Sequence, residues 1–241
     1  MGQSSGVAPE AEPAAAQAGY AAVIGDVVGS REAGQDVFER LDDALARAGE
    51  RVPALQPLQV TIGDEFQGVY EALGPALNAT LLVRLLLHGV VDVRFGVGWG
   101  AFTRWSAERT PYEQDGPAWW AAREALEAVE RHESETGTPH GWRTEVRLDA
   151  ARSEAPAAAG GADAPAIAVD GALQALLLCR DHILARLDAR DVGLVRALLE
   201  GATATMAAQQ VGISQQAASR RLRSNGGYAL LRTWRLLEES A

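Results

Sequence analysis

Apolar and polar positions along this chain follow two regimes that change near residue 168. In the first, short apolar runs alternate with segments of helical spacing. Tyr20–Val28 is a nearly continuous apolar run bounded by glycine, the pattern of a buried strand. Val37, Phe38, Leu41, Leu45 and Ala48 recur at helical intervals, predicting an amphipathic helix over Gln35–Ala48. Leu58–Ile62 and Phe66–Glu71 read as a hairpin with Gly63-Asp64 near its turn. Pro75–Leu87 predicts a strongly apolar helix, Val91–Gly100 a strand, Pro117–His132 a helix, and Trp142–Leu148 an alternating edge strand. In the second regime every segment reads as helix: Gly171–Leu187, Ala189–Gly201, Thr205–Val211, Ser214–Ser224 and Tyr228–Glu239.

The order β-α-β-β-α-β is ferredoxin-like. The expected fold is therefore α+β: an antiparallel sheet with helices on one face, followed by an all-α part. Residues 1–18 are rich in Ala, Gly, Pro and Ser and read as a disordered tail. Residues 150–168 have linker composition, which predicts domains over 19–149 and 169–241.

Hydrophobic residues make up 47% of the 241, so the chain is able to build a core. The net charge of −10 is uneven. Residues 1–150 carry 12 Arg and 23 acids (−11), whereas 188–241 carry 7 Arg and 5 acids (+2). The C-terminal part is thus the better match for an anionic partner. Cys179 is the single cysteine, so no internal disulfide forms, and its leucine neighbours predict a core residue. No apolar run reaches membrane-spanning length and no secretory leader is evident, so the expected compartment is the cytoplasm, with no membrane partner. His88, His132, His140 and His182 show no zinc-ligand spacing.

Two apolar strands run straight into Gly-Asp, at Gly25-Asp26 and Gly63-Asp64. A carboxylate at the end of a buried strand is costly to desolvate unless a cation meets it. Two of them together repel, and a divalent ion relieves that repulsion. Asp26 and Asp64, with Glu65 as a third ligand, are therefore the candidate metal residues for Mg²⁺ or Mn²⁺. Gly29 and Ser30 are candidates to cradle a phosphate, and Arg123 to pair with it.

Asp26-x-x-Gly29, Thr61-Ile62-Gly63-Asp64 and Arg94-Phe95-Gly96-Val97-Gly98 resemble the core motifs of class III nucleotidyl cyclases. Ile62-Gly63-Asp64-Glu65-Phe66 is also similar to the GGDEF signature of diguanylate cyclases. That resemblance implies a palm-type domain in which two aspartates hold metals and a nucleotide triphosphate. Over nearly the whole chain, Gly25–Arg31, Gly63–Gly68 and Asp115–Arg123 resemble the SatD family. Val60 stands where many adenylyl cyclases place a base-reading lysine, and the chain has no lysine. Trp119 replaces the ribose-reading asparagine of the cyclase helix. The resemblance thus retains the metal half of the site and loses the base- and ribose-reading half, which points away from cyclase activity and toward a nucleotide or metal sensor or an altered phosphoryl-transfer chemistry.

Thr203–Leu222 carries helix-turn-helix features that resemble MarR- or sigma-type segments. Thr203 or Thr205 caps a first helix, Gly212 permits a left-handed turn, Ile213 plugs the space between helices, and Ser214 caps the second. Ala218 and Leu222 point inward. Gln215, Gln216, Ser219, Arg220 and Arg223 are left largely outward, and with Ser214 and Arg221 they are the candidate DNA-contact residues. The combined expectation is a homodimeric DNA-binding regulator with an N-terminal domain for a nucleotide-type ligand. The alternatives are a metal-dependent phosphoryl-transfer or cyclase-type enzyme, and a catalytically dead dimerisation scaffold.

Overall fold

The structure is a computed structural model that describes residues 19–32, 34–101, 103–104, 114–139, 141–149 and 169–240. The expected tail (1–18) and linker (150–168), with His140, lie outside the described residues.

Strands β1 (Tyr20–Val27), β2 (Gln56–Ile62), β3 (Glu65–Tyr70), β4 (Val93–Gly100) and β7 (Thr144–Leu148) form one sheet in the order β2-β3-β1-β4-β7. A two-residue ladder, β5 (Thr103–Arg104) with β6 (Gln114–Asp115), stands apart. The first four strands of the large sheet pair antiparallel, as the element order predicts. β7 joins β4 in parallel, so the sheet is mixed rather than wholly antiparallel. Thr144, Glu145 and Val146 are all buried, so β7 does not alternate as an edge strand facing water would. Its two faces are covered by α3 (Pro117–Ser134) and α4 (Val169–Ala185).

Helices lie on both faces of the sheet, where one covered face was expected. Ala21 and Val23 of β1 join a core with α1 (Gln35–Arg51) and α2 (Leu73–Leu87), while Ala22 and Ile24 meet Ala118, Trp119, Ala122 and Leu126 of α3. Covering both faces explains why β1 reads as an unbroken apolar run. The glycines of β4 allow α3 to lie close. A Cβ on Gly96 would stand 2.0 Å from the Ala122 carbonyl oxygen, and one on Gly98 2.0 Å from that of Ala118. Phe95 and Val97 point to the opposite side and enter the α1/α2 core.

The remaining helices are α5 (Ala189–Leu199), α6 (Ala204–Gln210), α7 (Gln215–Ser224) and α8 (Gly227–Glu239). They share a continuous apolar core with the sheet through α2. The Asn78 amide donates to the Trp234 carbonyl at 3.0 Å, and Gly74 lets Leu237 of α8 cross closely. Buried Arg180 of α4 donates to Leu77 O (2.8 Å) and Thr144 Oγ1 (2.7 Å), whereas its neighbour Cys179, expected in the core, is exposed because it sits on the outward side of the helix. With the sheet on one side and helices on the other, α2 has almost no solvent face, hence its uniformly apolar sequence.

Candidate functional site

Asp26 lies near the end of β1, directly across from Arg94 of β4. Its side chain points to the α3 face, two residues on from Ile24, as strand alternation requires. The Arg94 guanidinium grips it with two bonds, Nε to Oδ1 at 2.9 Å and Nη2 to Oδ2 at 2.5 Å. Both side chains are about 85% buried, being 15% and 14% exposed. Burial alone would lower the Arg94 pKa. The hydrogen bond and charge of Asp26, helped by Glu133 and Glu130, outweigh it and hold the pKa above the usual value.

Glu65 opens β3, one step beyond the Gly25–Phe66 pair that ends the β1–β3 ladder, which sets it beside Asp26. Arg123 of α3 binds it in the same forked way, at 2.6 and 2.9 Å. The hydrogen bond with Glu65 raises the Arg123 pKa. Asp64 occupies the hairpin turn and makes no ion pair among the described residues. Gly29 is in the left-handed conformation (φ 71°) with open space around it, and Ser30 starts a single 3₁₀ turn.

Asp26, Glu65 and Arg123 thus share one end of the α3 face, but two of the three proposed metal ligands are each closed by an arginine. Among the described residues no three His, Cys, Asp or Glu side chains are grouped to hold a metal ion. In this arrangement the residues do not fit a divalent metal. Arg94 supplies the positive charge that the buried Asp26 demands.

Beyond Arg94 the charges continue in alternation. Glu133 bridges Arg94 (3.2 Å) and Arg143 (2.9 Å). Arg143 reaches Asp92 (2.7 Å), and Arg84 pairs with Asp92 (3.4 Å) and with Asp181 (3.2 Å). Asp181 is fully buried beside Arg180, at 3.0 Å. Burial lowers the Arg180 pKa despite that partner. The run of paired charges links the end of β1 to α4.

In the C-terminal helices, Thr203 caps α6 by accepting from the Met206 N–H (3.3 Å), and Ser214 caps α7 by accepting from the Ala217 N–H (3.2 Å). Gly212 takes φ 70° between them, a turn that a residue with a Cβ adopts only under strain. Ala208, Ala218 and Leu222 are buried and Ile213 packs against them. Ser214, Gln215, Gln216, Arg220 and Arg223 are exposed. Ser219 is half-buried and accepts from the Tyr228 hydroxyl at 3.3 Å.

The profile of the SatD family matches residues 20–144, just over half of the chain. The chain belongs to the SatD family. No curated protein matches this SatD-family chain in sequence. Among solved structures it is similar to a bacterial light-regulated adenylyl cyclase, at 14% identity over 54% of this chain and 75% of that one, with TM-score 0.42. It is also similar to the guanylate cyclase domain of RhGC from Catenaria anguillulae in complex with GTP, at 14% identity over 45% and 72%, with TM-score 0.39. The active GGEEF domain of a diguanylate cyclase from Vibrio cholerae is similar at 13% identity over 54% and 83%, with TM-score 0.37. Among the described residues no helix is long and apolar enough to cross a membrane.

One candidate DNA contact in this SatD-family chain has a different role. Arg221 donates to Asp191 (Nε to Oδ1, 2.8 Å) and to Asp188 (Nη2 to Oδ2, 2.5 Å), and the Asp191 hydrogen bond chiefly raises its pKa. Asp188 caps α5 by accepting from the Arg190 and Asp191 N–H groups, both at 3.0 Å. The Arg221 side chain therefore fastens α7 to α5 instead of standing free. Reading the sequence for sites passed over Arg94, Glu133, Asp188 and Asp191. Arg94 carried a signal all the same: a cation opening an apolar strand needs an acid across the ladder.

Proposed function

We propose that this SatD-family protein is a DNA-binding regulator that reads duplex DNA with α7. The observation that carries this reading is the division of labour on that helix. Arg221 is spent on Asp188 and Asp191, while Gln215, Gln216, Arg220 and Arg223 stay exposed behind a capped, glycine-turned N-terminus. Gln and Arg are the side chains whose paired donors and acceptors match adenine and guanine edges in the major groove. Arg220 and Arg223 also suit backbone phosphates. One such helix covers few base pairs, so a homodimer on two half-sites about one helical turn apart is the fitting arrangement.

Selection of bound fragments by the full chain tests it. The expected outcome is a shared sequence that Gln215→Ala with Gln216→Ala blurs, at about 1–3 kcal/mol per lost bidentate contact. Arg220→Ala and Arg223→Ala should each weaken binding across all sequences and reduce the salt slope by about 1. Recovery of unrelated fragments only would remove the reading.

A second reading concerns the α3 face of the sheet, where the Asp26–Arg94 and Glu65–Arg123 pairs share one end near the open backbone at Gly29. We infer that this end takes a nucleotide-type anion, which would draw the more exposed Arg123 off Glu65 while Arg94 stays on Asp26. A thermal-shift screen of nucleoside triphosphates, with and without Mg²⁺ or Mn²⁺, checks it. A shift of wild-type size in Arg123→Ala would exclude this site. Turnover of the nucleotide would instead favour a phosphoryl-transfer enzyme.

A further inference from the structure

A cavity of about 640 Å³ lies where α1, α5, α6, α7 and α8 meet, well within the size range of small-molecule sites. Its lining combines two chemistries. Leu198, Leu222, Leu231 and Trp234 make it apolar, and Arg51, Arg232 and Arg235 make it cationic. Among the described residues the only acid in that lining, Glu238, is already paired with Arg51 at 3.2 Å. Arg51 has further commitments: its Nε donates to Leu199 O at 2.8 Å, and its guanidinium lies 5.1 Å over the Trp234 ring. Arg232 and Arg235 are exposed, with no hydrogen-bond or ion-pair partner among the described residues.

Trp234 adds an anomaly. It is 1% exposed, yet its indole N–H has no hydrogen-bond partner among the described residues. A buried indole N–H ordinarily finds an acceptor. An apolar recess and two uncommitted cations in a chain of net charge −10 describe a recognisable guest.

We propose that this cavity binds a small organic anion: a flat apolar body carrying one carboxylate or sulfonate, the body against the half-buried Leu198 and Leu231, the anionic group on Arg232 and Arg235. A DNA phosphate would satisfy the arginines but leave the apolar lining unused. The position is consequential because Leu222 belongs to α7, and the Tyr228 hydroxyl bonds to Ser219 on the same helix. An occupant therefore touches the helix assigned above to DNA. That consequence rests on the DNA reading; the binding itself does not.

Isothermal titration of the full chain with naphthalene-2-carboxylate and with uncharged 2-naphthylmethanol tests the proposal. The expected result is saturable binding, with the carboxylate roughly tenfold tighter or better, as a charge-assisted contact implies. The Arg232→Ala, Arg235→Ala double variant should erase that preference without lowering the melting temperature, since both side chains are unpaired at the surface. Three results would each overturn the proposal: no saturable heat at millimolar ligand, equal affinity for the two probes, or a preference that survives in the double variant. Repeating the DNA selection with saturating carboxylate separates the two readings. If the carboxylate binds and the arginines matter while no DNA is bound even without carboxylate, the cavity stands and the DNA reading falls.

Discussion

The Asp26–Arg94 pair shows how one residue's burial decides its chemistry. With both side chains about 85% buried, each charge depends on the other for what water would have supplied. Arg94→Met should therefore cost about 2–4 kcal/mol, because it strands a largely buried carboxylate and releases Glu130 and Glu133. Urea unfolding measures it, and a loss below about 1 kcal/mol would mean that water reaches Asp26 freely. Asp188 supplies a pH-dependent counterpart. The Asp191 backbone N–H first, and then Arg221, hold its carboxyl below the ordinary value of 3.8. A carboxyl depressed in the folded state contributes stability above its unfolded pKa, and that contribution is lost as pH falls through the folded value. The melting-temperature gap between wild type and Asp188→Asn should thus be flat above about pH 5 and shrink below about pH 4. A gap that does not change between pH 6 and pH 3 would deny Asp188 that role.

At the scale of elements, α3 on β4 is the contact most sensitive to a single methyl. Gly96 and Gly98 meet backbone atoms of α3 rather than flexible side chains, so an added Cβ must push the helix outward. Gly98→Ala should cost about 1–3 kcal/mol by overpacking. It should also displace Arg123 from Glu65 and Glu133 from Arg94, since α3 carries both residues. The observable is a lower melting temperature together with altered exposure of Trp119, which is buried on that helix. Unchanged stability would show that α3 stands further from the sheet than described here. Arg123 of that helix was legible as a candidate site residue. The helix's closeness to the strand was not, because the glycines of Arg94-Phe95-Gly96-Val97-Gly98 look the same whether they admit a ligand or a helix.

For the whole molecule, the shared core through α2 predicts cooperative behaviour. The composition of residues 150–168, almost free of bulky apolar side chains, makes that stretch the expected first point of proteolysis. The two fragments should nevertheless stay together on gel filtration. Leu77 O and Thr144 hold Arg180, Asn78 holds the Trp234 carbonyl, and Arg47 pairs with Glu200 at 2.7 Å across the same junction. Urea unfolding of the intact chain should show one transition, because neither part keeps its α2 contacts alone. Fragments that separate without denaturant, or two resolved transitions, would indicate parts that merely touch.

Local periodicity alone determined the elements. Strand alternation, helical spacing, and the Thr203 and Ser214 caps with Gly212 between them are written in neighbouring residues, since propensity and capping act within a few positions. The charges on α7 were legible to the same depth: Gln215, Gln216, Arg220 and Arg223 lie outward because Ala218 and Leu222 lie inward. Tertiary structure decided everything that depends on which distant groups share a space. It paired Asp26 with Arg94 and Glu65 with Arg123, and so placed cations where the sequence suggested a metal. It turned Arg221 inward to Asp188 and Asp191, laid α3 on the second face of the sheet, and ran β7 parallel to β4. A carboxylate's partner is chosen by electrostatics over a few ångströms across the fold, and sequence separation carries no information about that distance.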